Sequence, residues 1–188
     1  MEAVSDDDLV RLYRNGEAAA FDTLFDRYHV GVYSFARTML GDSGGPEDVL
    51  QETFLTVAQS LAKYTPQGKF RSWLMRIARN RCLARLEARR ITKLVLAAGN
   101  MEPSEPASLA PGPQQAAQDD EQVQIIRAAI DALPDRQREA LALYAFEQMT
   151  YQEIAETLAA PINTVKTLIR RGRSAVARKL ESQRGERT

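Results

Sequence analysis

A single cysteine, Cys82, and a single histidine, His29, stand in this chain of 188 residues. One cysteine excludes an internal disulfide, and without a Cys/His cluster around it there is no zinc site. No metal and no cofactor is expected. His29 sits in an apolar helical pattern, and no paired carboxylates, phosphate loop or nucleophile constellation appears, so the chain does not read as an enzyme. It also lacks any apolar run long enough to span a membrane. The amino terminus is acidic, without the apolar core of a signal peptide, so a cytoplasmic protein with no membrane insertion of its own is expected. Cys82 itself lies among basic residues, which leaves two alternatives: a thiol of lowered pKa, or a buried and inert one.

Net charge is absent too, with 25 basic and 25 acidic residues, but the charges are segregated. Residues 1–8 hold Glu2, Asp6, Asp7 and Asp8 and no base. Residues 69–93 hold nine bases against Glu87 alone. A second basic stretch, 164–180, carries Lys166, Arg170, Arg171, Arg173, Arg178 and Lys179 with no acid. Two separated basic helices suggest two contacts with a polyanion.

Apolar spacings of three and four predict an all-α chain. Short and long helices are expected over 6–15 and 17–40, ended by the Gly/Pro-rich turn at 41–46. A third follows over 47–63 with Leu50, Phe54, Val57, Ala58 and Leu61 inward, and a fourth over 70–91 with Phe70, Trp73, Leu74 and Ile77 inward. Residues 1–95 thus form one helical domain. Residues 96–122 hold Pro103, Pro106, Pro111 and Pro113, several acids and few large apolar groups. This predicts a flexible acidic linker, either a plain tether or a charge mimic of RNA. Residues 123–188 form a second helical domain, with Asp135 expected to cap a helix through 146.

Its last part is a helix over 151–158, a break at 159–162 containing Pro161, and a basic helix from 164 capped by Asn163. Ile154, Ala155 and Leu158 face Val165 and Ile169. A short helix, a tight turn and a basic second helix read as a helix-turn-helix whose second helix enters the major groove, or as an ordinary helical hairpin with a solvated basic face.

In order, EDVLQETFLTVAQSLAKY at 47–64, FRSWLMRIARNRCLARLEARR at 70–90 and LPDRQREALALYAFEQMTYQEIAETLAAPINTVKTLIRRGR at 133–173 resemble the polymerase-binding, minus-ten and minus-thirty-five segments of bacterial extracytoplasmic-function (ECF) sigma factors. These form the group-four branch of the main sigma family. The resemblance covers about 9–92 and 123–181. It implies a protein that binds core RNA polymerase, directs it to promoter DNA and aids melting. Asp48, Gln51 and Glu52 then engage the polymerase clamp helices. Tyr64, with the loop 63–69, would line a pocket for a flipped minus-ten base. Asn80 would read a base edge while Arg76, Arg79 and Arg81 hold phosphates.

On the last helix, Lys166, Thr167, Arg170, Arg171 and Arg173 would meet the minus-thirty-five element, roughly one and a half to two helical turns away. Many relatives are held inactive by an anti-sigma factor, which is the further partner the resemblance suggests. The chain departs from the family pattern at Ala84 (Asp or Asn in many members), Asn163 (Gly) and Leu168 (Arg), each bearing on promoter preference. The rival readings are a two-domain repressor or activator, and a sigma mimic that titrates an anti-sigma factor.

Overall fold

The computed structural model describes residues 4–98 and 121–185. Eight α-helices and one 3-10 turn account for their regular structure, with no strand among the described residues. Helix α1 (Asp6–Arg14) begins where the Ser5 hydroxyl accepts from the Asp8 amide, and three acids fill its first turn, where the helix dipole favours negative charge. Helix α2 (Ala19–Leu40) ends at Gly41, and a 3-10 turn (Asp42–Gly44) leads to Gly45 in the left-handed region (φ 70°). Pro46 then opens α3 (Pro46–Ser60) at the first-turn position, where the missing N–H costs nothing.

Helix α4 (Phe70–Ala98) runs seven residues past the predicted end at 91. The physical reason is in the residues: ITKLVLAA contains no Gly or Pro, and the first breaker is Gly99. Residues 96–98, expected in the linker, are therefore helical. The rest of the predicted linker up to residue 120 lies outside the described residues, together with Glu102, Glu105, Asp119 and Asp120.

Helices α1–α4 pack around Leu24, Val32, Phe35, Val57, Leu61, Leu74 and Ala78, all fully buried. Aromatic edges fill the space between them. Phe54 stands edge-on to Phe21 and Phe25, and Tyr64, Phe70 and Trp73 form a second cluster with centroids 4.8–5.7 Å apart.

The carboxy-terminal helices are α5 (Glu121–Asp131), α6 (Asp135–Ala145), α7 (Tyr151–Leu158) and α8 (Ile162–Gly185). Asp135 is the first residue of α6 and does not cap it. Pro134, extended at φ −54° and ψ 141°, holds the cap position, and the Asp135 carboxylate lies 3.7 Å from Arg138 instead. Asn163 is likewise already helical, because α8 starts at Ile162 and Pro161 supplies the carbonyl for the Thr164 and Val165 amides. Between α7 and α8, Ala159 makes the reversal in the left-handed region (φ 48°).

The start of α7 is fixed by a reciprocal capping box. The Thr150 hydroxyl accepts from the Glu153 amide, and the Glu153 carboxylate accepts from the Thr150 amide at 2.8 Å. Ile154, Ala155, Leu158, Val165 and Ile169 are buried where α7 and α8 cross, as their spacing predicts.

The two helical groups touch. Helix α7 lies along α4 and α6 along α2, so one continuous apolar cluster runs from Leu9 through Met149 to Ile169. No described helix is long and apolar enough to cross a membrane.

Candidate nucleic-acid interface

Helix α8 presents the cleanest basic surface. Lys166, Arg170, Arg171 and Arg173 are exposed, opposite the buried pair Val165 and Ile169. The lack of acid between 163 and 180 means that no carboxylate of α8 lies within a helical turn of them; Glu181 is eight residues beyond Arg173. Among the described residues, no carboxylate lies in salt-bridge range of these four. Thr167 is half-buried, and its hydroxyl donates to the Asn163 carbonyl at 2.9 Å. Two shallow clefts of about 410 and 490 Å³ flank the ridge. One is lined by Gln137, Arg170, Arg171 and Arg178, the other by Tyr151, Lys166, Arg170 and Arg173. Desolvation of these cations is small, so their charge is available to phosphate oxygens at little cost.

On α4 the bases are divided among three directions. Arg76 and Asn80 are exposed, one helical turn apart, and Ala84 and Ala88 continue the same stripe. Arg81 and Arg85 turn towards α3. Arg85 donates to Glu52 at 2.7 Å and to Asp48 at 3.2 Å, while Arg81 donates to the Thr56 hydroxyl at 3.0 Å and lies 3.8 Å from Glu52. Gly45 backs this cluster; a Cβ there would meet the Arg85 guanidinium at 2.7 Å and the Asp48 carboxylate at 2.9 Å.

Arg79 turns the opposite way, into the seam with α6. Its Nη2 donates to Glu139 Oε2 at 3.3 Å, and its Nε sits 3.2 Å from Oε1 but off line, so both of those atoms lack a true hydrogen bond. Glu139 is 2% exposed. Burial pushes its carboxyl up from the ordinary carboxylate range, with Arg79 pulling it back.

The predicted polymerase residues thus remain on one face of α3. Gln51 and Asp48 are exposed, and Glu52 is half-exposed but engaged by Arg85. The pairing of Glu52 with Arg85 was not anticipated from the sequence. The structure brings the acids of α3 and the bases of α4 into a single charged strip.

Tyr64 differs most from its expected position. It is 9% exposed, edge-on to Phe70 and against Trp73, so its ring belongs to the core and is not presented by the loop. The loop itself is pinned from α1. The Asp7 carboxylate accepts from the Gly68 amide at 2.7 Å, and the Arg14 guanidinium donates to the Leu61 carbonyl at 2.7 and 2.9 Å and to the Tyr64 carbonyl. Lys63, Thr65, Gln67 and Lys69 are the exposed side chains there. Cys82 is fully buried, and burial pushes its thiol from 9.0 to about 12, which settles the choice left open by its basic neighbourhood. The described residues contain no cluster able to hold a metal ion.

A basic helix-turn-helix joined in one chain to a second basic helix with an acidic neighbour defines a DNA-binding protein with two contact surfaces. The family models agree: Sigma-70 region 2 matches residues 24–91 and Sigma-70 region 4 matches residues 123–176. The ECF RNA polymerase sigma factor SigE of Mycolicibacterium smegmatis is 33% identical over 163 residues, covering 84% of this chain and 62% of that protein. The ECF RNA polymerase sigma-E factor of Escherichia coli strain K12 is 30% identical over 185 residues, covering 96% of each. Among solved structures, that of CnrH in complex with the cytosolic domain of CnrY superposes with a TM-score of 0.70 at 25% identity, covering 94% of this chain and 97% of that one. The chain belongs to the ECF family of RNA polymerase sigma factors, which are transcription regulators.

Proposed function

We propose that this chain binds core RNA polymerase through the polar face of α3 (Asp48, Gln51 and Glu52), reads a minus-ten element with α4, and reads a minus-thirty-five element with α8. It acts in the cytoplasm, where the polymerase is, and brings no catalytic chemistry of its own. Arg76 and Asn80 are the α4 side chains in position to meet DNA directly, with Arg81 at the edge of the same surface. Arg79 and Tyr64 contribute only if the seam and the loop rearrange.

On α8, Arg170 and Arg171 supply the planar forks suited to guanine or phosphate. Lys166 and Arg173 suit phosphate anchoring, and Thr167 is left for apolar contact by its methyl group. The observation that carries this reading is the ridge of four exposed cations on α8 with no carboxylate in salt-bridge range. A folded protein gains nothing internally from such a ridge, whereas a polyanion partner gains counterion release.

An anti-sigma factor is a further partner on this reading, a choice supported by the similarly folded sigma factor RpoE of Bartonella quintana, which is solved in complex with the anti-sigma factor NepR. The test is reconstitution. Purified core RNA polymerase mixed with the chain should yield a stable complex that initiates at discrete sites on genomic DNA fragments. No complex with polymerase sinks the assignment of α3. A complex that starts at random sites sinks the assignment of α4 and α8.

A further inference from the structure

Helix α1 lies outside the segments matched by the family models, the first of which begins at residue 24, and its three leading acids have separate tasks. Asp6 accepts from Arg27 and Tyr28 of α2, while Asp8 accepts from the Ser5 hydroxyl at 2.7 Å and from Arg11 at 2.6 Å. With Leu9 and Val10 buried, these contacts seat α1 on α2. Asp7 and Arg14 do something else. Both reach the connection between α3 and α4, 47 to 61 residues away in sequence.

Arg14 holds the start of this loop. Its guanidinium donates to the Leu61 carbonyl at 2.7 and 2.9 Å and to the Tyr64 carbonyl, just where α3 ends and its last carbonyls lack intrahelical partners. Asp7 holds the far end, where its carboxylate accepts from the Gly68 amide at 2.7 Å and Gly68 lies in the left-handed region (φ 68°). Between the two holds, residues 65–67 make no backbone–backbone hydrogen bond among the described residues. Burial raises the pKa of the Tyr64 hydroxyl and the Asp7 carboxylate adds to the rise, while the Lys69 and Gln67 amides oppose it, so these groups share the space under the loop. The other Asp7 oxygen is buried without a partner, which makes the carboxylate a poor device for stability alone.

A loop held at both ends has few conformations left to lose when it meets a ligand. Its exposed side chains can hydrogen-bond a base edge: Thr65 through a hydroxyl, and Gln67 through a carboxamide able to pair bidentately with adenine. The loop runs straight into α4, and its last residue, Lys69, precedes Arg76 by two helical turns, about 10 Å. Thr65 and Gln67 therefore border the surface that carries Arg76 and Asn80.

We propose that α1 braces the α3–α4 loop, with Asp7 and Arg14 as positioning residues that set the base preference of Thr65 and Gln67 at the edge of the minus-ten element without touching DNA themselves. The brace rests on the assignment of α4 to that element.

Initiation by core polymerase with the full chain, from promoters bearing each of the four bases at every minus-ten position, reads the preference position by position. Thr65→Ala with Gln67→Ala should lose the preference at one position and nowhere else. Asp7→Ala and Arg14→Met should each lower the preference at that same position at least threefold, leaving the other positions and capture of polymerase unchanged. Asp7→Asn keeps an acceptor for the Gly68 amide and should restore at least half of the lost preference. Adding Asp7→Ala to the Thr65→Ala, Gln67→Ala chain should change nothing further, because the brace acts through those side chains. Without DNA or polymerase, the Gly68 amide of Asp7→Ala should exchange with deuterium at least tenfold faster than that of wild type, and that of Asp7→Asn within threefold.

A Thr65→Ala, Gln67→Ala chain that keeps every preference, an Asp7→Ala chain that loses all positions equally or none, a failed rescue by Asp7→Asn, or Gly68 exchange at the wild-type rate overturns the proposal. A wild-type chain with no base preference anywhere in the minus-ten element overturns the assignment of α4, and the base-setting role with it, while faster Gly68 exchange in Asp7→Ala would still show the brace.

Discussion

Arg138 ties the carboxy-terminal helices together through carbonyl groups, and its removal has a calculable cost. Its guanidinium donates to the Asp131 carbonyl at 2.6 Å, the Leu133 carbonyl at 3.0 Å and the Ile130 carbonyl at 3.3 Å, and its Nη1 lies 3.5 Å from the Met39 carbonyl of α2. The side chain is 14% exposed. Three of these acceptors belong to the last turn of α5 and the residues just beyond, where helix carbonyls lack intrahelical partners and the dipole favours a cation.

A hydrogen bond from a charged group contributes about 1.5–3 kcal/mol, and three that share one guanidinium are not additive. Arg138→Met keeps the stem's packing and removes the fork, so it should cost about 3 kcal/mol. For a chain of this size, that corresponds to a fall in Tm of about 6–12 °C. Arg138→Lys keeps the charge but reaches fewer carbonyls and should recover about half. Urea unfolding followed by far-UV circular dichroism measures both. A methionine variant within about 0.5 kcal/mol of wild type, or a lysine variant equal to arginine, refutes the reasoning, since the first removes the carbonyl bonds and the second removes only their geometry.

Further outcomes separate the surfaces. Gln51→Ala with Glu52→Ala should weaken capture of core polymerase, whereas Arg170→Ala with Arg171→Ala should spare capture and abolish starts that depend on the minus-thirty-five element. Equal losses from both pairs in both assays would contradict the division of labour. Lys166→Ala, if Lys166 is a phosphate anchor, should weaken DNA binding about evenly across sequences and lower the log-salt slope by about 1. Thr150→Ala removes half of the capping box at the start of α7 and should cost about 1 kcal/mol in urea unfolding.

Cys82 should resist thiol reagents in the native chain at pH 8 and react at once in urea. Because its thiol is raised from 9.0 to about 12 by burial, the native state keeps a proton that the unfolded chain releases. Its contribution to stability is complete below pH 9 and drains away as pH rises towards 12. A native protein that labels at pH 8 as fast as the unfolded one would show the thiol to be accessible.

Much of this was legible in the residues. Periodicity located the helices of the described residues, because the apolar stripes of α2, α3 and α7 repeat at three and four without competing signals, and the basic ridge of α8 follows from counting charges. The misses are of two physical kinds. Helix ends at 91, 135 and 163 were placed by side-chain type, whereas breakers and proline carbonyls decided them: α4 continues to Ala98 for want of a Gly or Pro, and Pro134 and Pro161 take the cap positions.

The second kind is tertiary. Glu139 shares the helical phase of Ala142 and Leu143, so an acid on an inward face was a visible signal, yet nothing in the sequence names Arg79 as its partner. Tyr64 adjoins a loop, and only the packing of Phe70 and Trp73 shows that its ring is spoken for.

The division of α4 among three neighbours has an evolutionary consequence. Positions facing α3, the core and α6 are each tied to a partner that must change with them. Arg76, Asn80, Ala84 and Ala88, lying in line on the remaining face, are tied to nothing of the kind. Randomising the first three of these should therefore yield folded proteins at high frequency. That short row is where a lineage can drift to new promoters, or a laboratory can retarget the protein, without first rebuilding the helix.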